Sequence, residues 1–210
     1  MSARPSQWYE TPDLAGDHVK LIQLHQHHAE GLLGASDDDE VFAWQAFARP
    51  TTLGEVRALI ELYLSRPNTI SWTQVDQHSN EVAGLTTYYE IDPAQRTVAI
   101  GSTWLGRRFW RTGVNTEAKL LLLSRAFDVL GCARVVWHVD INNERSQAAV
   151  ERIGGVREGV LRKHRIRRDG SWRDTVLYSM TDDEWPAARE GLQERLTHHS
   201  PERVETGPST

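Results

Sequence analysis

The feature that most constrains this fold is a change of hydrophobic period near residue 106. Before it, TISWTQVD (69–76), EVAGLTTYYEI (81–91) and RTVAIGSTWL (96–105) read as strands separated by HSN and DPAQ. Both spacers carry turn chemistry, so the three runs predict an antiparallel meander. After it, Leu120, Leu123 and Phe127 share one helical face between residues 116 and 130. RVVWHVD (134–140) is then a mostly apolar strand, as in a sheet interior. A second helix is predicted over 144–153, with Ser146, Ala149, Val150 and Ile153 along one side. Residues 159–180 predict a hairpin turning at Asp169–Gly170.

Ahead of the meander, DHVKLIQL (17–24) alternates as a half-buried strand, and a helix is expected over 27–33. A better helix opens at Thr51–Thr52, with Glu55 completing a capping box. Val56, Ile60 and Tyr63 keep helical spacing, and Pro67 ends it. The order predicts one α/β domain over 12–197, with a mixed, mostly antiparallel sheet flanked by helices. The polar ends, 1–11 and 198–210, are expected to fray.

Bulk properties exclude several classes. The 210 residues carry 39% apolar content, enough for one sizeable core. A formal charge of -5 gives no general attraction to DNA or anionic lipid. No run approaches the roughly 18 apolar residues of a membrane span, and residues 1–10 lack a signal-peptide core. Cys132 stands alone, which fits a reducing cytoplasm and allows no internal disulfide.

Two segments carry chemistry. In WLGRRFWRTGVNTEA (104–118) a strand ends, a loop holding Arg107, Arg108, Arg111 and Gly113 follows, and a helix opens near Val114. Free amides at a helix start, joined by arginines, suit a phosphate. The segment is neither a P-loop nor a Rossmann turn, since GxxxxGK[ST] and GxGxxG are both absent. In HVDINNERSQAAVERIGG (138–155), Asn143 and Ser146 stand three apart at a helix start just past a strand. They therefore share one edge, although Asn143 alone reads as an N-cap.

Together these segments resemble the GNAT superfamily of N-acetyltransferases, and most nearly its branch that acetylates the N-termini of ribosomal proteins. The likeness runs from LAGDHVKLIQL to VLYSMTDDEW and is strongest over 101–178. The family's pyrophosphate loop, Q/R-x-x-G-x-G/A, falls on WRTGVN: Gly113 matches, Trp110 takes the first place, and Asn115 replaces the final small residue. The resemblance implies an acetyl-CoA site made by Trp104, Leu105, Arg108, Trp110, Arg111, Thr112, Gly113, Val114, Asn115, Thr116 and Asn143. It also implies that the strand ending at 102–105 pairs through its backbone with the pantetheine arm. Asn143 would contact that arm, and Ser146 would protonate the leaving thiolate.

Acyl transfer from a thioester further needs a neutral amine and an oxyanion donor, for which a backbone amide near Trp104 is the candidate. Cys132 reads as a core residue rather than a nucleophile. Glu90, Glu158, His164 or water are the candidates for the general base. His25, His27 and His28 lack acidic or cysteine partners at a metal spacing, so no metal is expected. Trp137 is expected in the core, whereas Trp44, Trp104 and Trp110 could line a groove. The run RKHRIRR (162–168) is a solvated hairpin face or a dock for an acidic or RNA-rich partner. The expected partners are acetyl-CoA and an amine acceptor, a ribosomal protein among them, with a homodimer allowed and neither DNA nor membrane involved. Competing readings are a transferase for a small amine such as a polyamine, amino sugar or antibiotic, and a non-catalytic acyl-CoA-binding module.

Overall fold

A computed structural model describes residues 4–197. Eight strands form one sheet: β1 (Leu14–Ala15), β2 (Val19–Gln23), β3 (Ile70–Asp76), β4 (Val82–Asp92), β5 (Thr97–Leu105), β6 (Arg134–Asp140), β7 (Val156–Ile166) and β8 (Trp172–Thr181). Their spatial order is β1-β2-β3-β4-β5-β6-β8-β7, and only β5 and β6 pair in parallel. The sheet is therefore mixed and mostly antiparallel, as the period pattern predicts. α1 (Ala29–Ala35) and α2 (Leu53–Ser65) cover one face of β4 and β5, where Leu85 and Trp104 enter their core. α3 (Gly113–Ser124) is the crossover between β5 and β6, and it packs against α5 (Trp185–Thr197). α4 (Glu144–Arg152) follows β6 directly.

Local chemistry explains the boundaries. Thr52 and Glu55 form the expected reciprocal capping box of α2. Thr112 caps α3 by accepting from the Val114 amide. The helix predicted to run to Leu130 instead ends at Ser124 and continues as a five-residue π turn, Arg125–Val129. In the last hairpin Gly170 has φ +83°, and Asp169 accepts from the Ser171 amide.

Two segments differ from expectation. Pro5–Tyr9 is a 3-10 turn that buries Trp8, and the Arg125 guanidinium ties it down through the carbonyls of Gln7 and Glu10. The ordered chain thus begins before residue 12. α5 carries no strong amphipathic signal, yet it docks through Trp185 and Leu192. The tail 198–210 lies outside the described residues.

The decisive feature for function is a split in the sheet. β5 and β6 pair only over Thr97–Ala99 and Arg134–Val136. Beyond that they diverge, while β4 still pairs with β5 to Leu105 and β8 pairs with the whole of β6. Each arm of the resulting V is braced by its outer neighbour.

Candidate active site

The inner edge of β5 past Ala99 has no strand beside it. No strand ladder uses the backbone groups on that edge, so those not taken by side chains are open to a ligand. Within this stretch the β4–β5 register slips between Leu85 and Thr87, and Ser102 adopts φ +47°. Such a bulge turns one residue out of the ladder and redirects its amide. Side chains meet two nearby carbonyls: Gln45 Nε2 donates to Thr103 at 3.2 Å, and Trp110 Nε1 donates to Leu105 at 2.9 Å.

One lip of the V is the turn Arg107–Phe109 and the start of α3. Gly113 and Val114 are buried at the first positions of α3, whereas Asn115 and Thr116 are half-buried. A Cβ on Gly113 would lie 2.6 Å from the His18 ring, so packing excludes a larger residue. The Thr112 cap serves the Val114 amide, and the other first-turn amides have no partner within the helix. The opposite lip is the start of α4. Asn143 is its N-cap and accepts from the Ser146 amide at 3.0 Å, while Ser146 is half-buried.

The two lips meet over Trp110. The Arg145 guanidinium of α4 lies 3.8 Å from its ring centroid, and that of Arg107 lies 4.4 Å away. Glu40 pairs with both arginines, and Asp37 accepts from the Arg107 amide at 2.8 Å. The largely exposed acidic run 37–40 therefore straps the two lips together. Arg108 instead pairs with Glu81 at 3.2 Å, and Arg111 is exposed with φ +61°. Trp104 differs from the groove role considered for its ring: only 3% is exposed, against Phe42. Only its backbone can face a ligand.

At the closed end of the V, Glu90 and His164, both candidate bases from the sequence, gather around two residues that the sequence reading missed, Tyr89 and His138. The Tyr89 ring crosses β5 above Gly101, where a Cβ would come within 2.8 Å of it. Its hydroxyl lies 2.9 Å from His138 Nδ1 on β6. Glu90 is 3.8 Å from the same nitrogen and 3.6 Å from Arg165, and the His164 ring sits 5.6 Å from that of His138. Burial lowers the His138 pKa below the usual value. Arg165, His164 and Arg173 add to this, while Glu90 opposes it. Glu158, another candidate base, is elsewhere: Arg134 and Ser179 hold its carboxyl, bringing its pKa down to about 2. The sequence offered only one signal for His138, its outward position on a buried strand.

Beside the V, residues 43–46 and 165–169 enclose a cavity of about 230 Å³ with Asp140 and Arg173. Asp140 is buried. Burial raises its pKa, but the two bonds from Arg167, at 2.7 and 2.9 Å, outweigh that and hold it low. Arg168 closes one end by donating to the Phe47 carbonyl at 2.7 Å.

The sheet thus opens between two parallel strands, with a helix start at its mouth. Residues 18–156, about two thirds of the chain, match the model of the acetyltransferase (GNAT) domain. The chain belongs to the GNAT acetyltransferase family. It is an N-acetyltransferase. A solved GCN5-related N-acetyltransferase from Brucella melitensis is 32% identical, with a TM-score of 0.86 over 94% of this chain and 89% of that one. Bacillus subtilis YdaF, named provisionally as a ribosomal N-acetyltransferase, is 32% identical over 108 residues, 51% of this chain and 58% of its own. The microcin C7 self-immunity acetyltransferase MccE, solved with acetyl-CoA and AMP, is 25% identical, with a TM-score of 0.68 over 79% and 93% of the two chains.

Among the described residues no group of three or more His, Cys, Asp or Glu gathers as metal ligands. His28 is instead packed against Thr73 at 2.9 Å, and burial lowers its pKa to about 4. No described helix is long and apolar enough to cross a membrane.

Proposed function

We propose that this acetyltransferase modifies the α-amine of a protein N-terminus, in the cytoplasm, with a ribosomal-protein-like acceptor. The observation that carries the reading is the charge of the cavity beside the V. Its lining holds Arg165, Arg167, Arg168 and Arg173 against Asp140 and Asp169. Asp140 is already bound by arginine, and Asp169 caps its own turn. A polyamine needs several free carboxylates to replace the water around its ammonium groups, and this cleft offers arginines instead. The acidic strap, which would otherwise attract a polycation, is spent on Arg107 and Arg145.

In this reading acetyl-CoA lies with its pantetheine along Ser102–Leu105 and its pyrophosphate at the start of α3. Thr112, Gly113, Val114, Asn115 and Thr116 cradle the phosphates with Trp110, while Arg108 and Arg111 supply charge from the rim. Asn143 keeps its amide nitrogen for the pantetheine, because its oxygen caps α4. The bulge amide near Trp104 receives the oxyanion, and Ser146 returns a proton to the sulfur. Transfer is direct. Cys132 is buried with its thiol pushed up to about 12, which is no nucleophile at neutral pH. Asn143 and Ser146 at the lip favour catalysis over a silent binding module.

Thiol release from acetyl-CoA should be measured with Ser-, Ala- and Met-initiated peptides, spermidine and an aminoglycoside. We expect a peptide to be turned over fastest. Faster turnover of spermidine or the aminoglycoside than of every peptide would replace this reading with the small-amine one.

A further inference from the structure

We propose that His138 is the catalytic base of the transfer, accepting the acceptor's proton at Nε2 while Tyr89 and Glu90 orient its ring. The inference rests on acyl transfer at the V, not on the identity of the acceptor.

Position is the first argument. The last β5–β6 pair is Ala99 with Val136, so Gly101 and His138 stand level, each two residues into the opening. The bulge at Ser102 is the next residue along β5. Ser102 to Leu105 spans about 10 Å of strand, so a pantetheine running inward from the start of α3 brings its acyl carbon to the bulge. That carbon then lies beside His138.

The second argument is how the ring is held. Tyr89 reaches Nδ1 only because Gly101 leaves the space above β5 empty. Burial keeps the Tyr89 phenol protonated, yet its oxygen still accepts a hydrogen bond. When Nδ1–H donates to that oxygen, the Nε2 lone pair is free, and no described residue hydrogen-bonds Nε2. The charged groups facing the ring are Glu90 from β4, His164 and Arg165 from β7, and Arg173 from β8. With burial they favour the neutral ring at rest. Glu90, at 3.8 Å, limits the cost once the ring is charged.

The other candidates are weaker. Glu90 is about half exposed and shared between His138 and Arg165, and His164 is exposed.

The step balances. His138 Nε2 takes a proton from the acceptor nitrogen, whose lone pair forms the C–N bond as the carbonyl pair moves to oxygen. Collapse re-forms the carbonyl and breaks the C–S bond. The thiolate takes the Ser146 proton, and the imidazolium, through water, restores Ser146.

Nitrogen-15 NMR of histidine-labelled protein with bound coenzyme A should find His138 neutral at pH 7, with Nδ1 protonated and Nε2 bare. The Nε2–H tautomer would overturn the proposal. Turnover should be followed as thiol release from acetyl-CoA, with a Ser-initiated peptide and with water alone as acceptor. His138→Gln should lower turnover about 100-fold or more, change acetyl-CoA affinity less than twofold, and abolish the acid limb of the pH profile. Tyr89→Phe should leave a smaller loss and a displaced acid limb. An unchanged acid limb in His138→Gln refutes the assignment. If the peptide is inert while hydrolysis shows the His138-dependent limb, the acceptor reading fails and the base stands.

Discussion

Lys119 provides a sharp test of the physical reasoning, because it is a buried cation without a counter-ion. It sits on α3, 8% exposed, and its Nζ donates to Thr103 Oγ1 at 2.9 Å. No carboxylate of the described residues pairs with it, and burial lowers its pKa from 10.5 to about 7. A folded pKa below the unfolded one means that folding expels a proton. The penalty is therefore full below about pH 7 and fades as pH rises toward 10.5. A shift of about 3.5 units is worth roughly 4–5 kcal/mol at pH 6 and about 2 kcal/mol at pH 9. Lys119→Met keeps the apolar volume and forfeits about 1 kcal/mol for the hydrogen bond. The net gain is then about 3–4 kcal/mol at pH 6 and about 1 kcal/mol at pH 9. For a chain of this size that is near 8–10 °C at pH 6 and 2–3 °C at pH 9. Thermal and urea unfolding of both proteins at the two pH values would measure it. A gain independent of pH, or a loss at both values, would mean that Lys119 is charged and compensated in the fold.

Two further outcomes are expected. If Ser146 is the proton donor proposed above, Ser146→Ala should reduce turnover about 10–100-fold while leaving acetyl-CoA affinity within twofold, since that proton matters only as the C–S bond breaks; unchanged turnover with chemistry rate-limiting would assign the proton to water. Glu40→Gln should tighten acetyl-CoA binding about twofold to thirtyfold by calorimetry, because two exposed ion pairs of about 0.2–1 kcal/mol each no longer compete for Arg107 and Arg145; weaker binding would show the strap to be a scaffold for those arginines rather than their competitor.

What the sequence made legible, and what it hid, divides along the range of the interaction. The meander, the crossover and the helix at Thr52 announce themselves through period and capping, which are local. The two lips of the V were also visible, since each is a strand followed after a short loop by a helix start. Their meeting over Trp110 was not, because Arg145 reaches that ring only after β5 and β6 close around α3. His138 was hidden for the same reason. Its partner Tyr89 lies 49 residues away, and the path between them depends on the missing side chain of Gly101. α5 and the 3-10 turn at Trp8 went unread because each is held by one or two large apolar anchors in a polar segment, too few to set a period.

The split in the sheet also bears on how the enzyme meets its substrate. An unpaired strand edge ordinarily invites closure or association. Here it lies inside the sheet, and three features keep it open. β6 is fully paired with β8, so closing it onto β5 would have to carry β8 along. The bulge at Ser102 spoils the register that a β5–β6 ladder would require. Gln45 and Trp110 already occupy the Thr103 and Leu105 carbonyls, leaving fewer acceptors for a partner strand. The amides that remain are donors, and a thioester carbonyl and its oxyanion need donors. On the placement of acetyl-CoA proposed above, the cleft would be preorganised: little of the backbone entropy of binding would remain to be lost when pantetheine enters, and free amides would meet the charge that develops on the acyl oxygen.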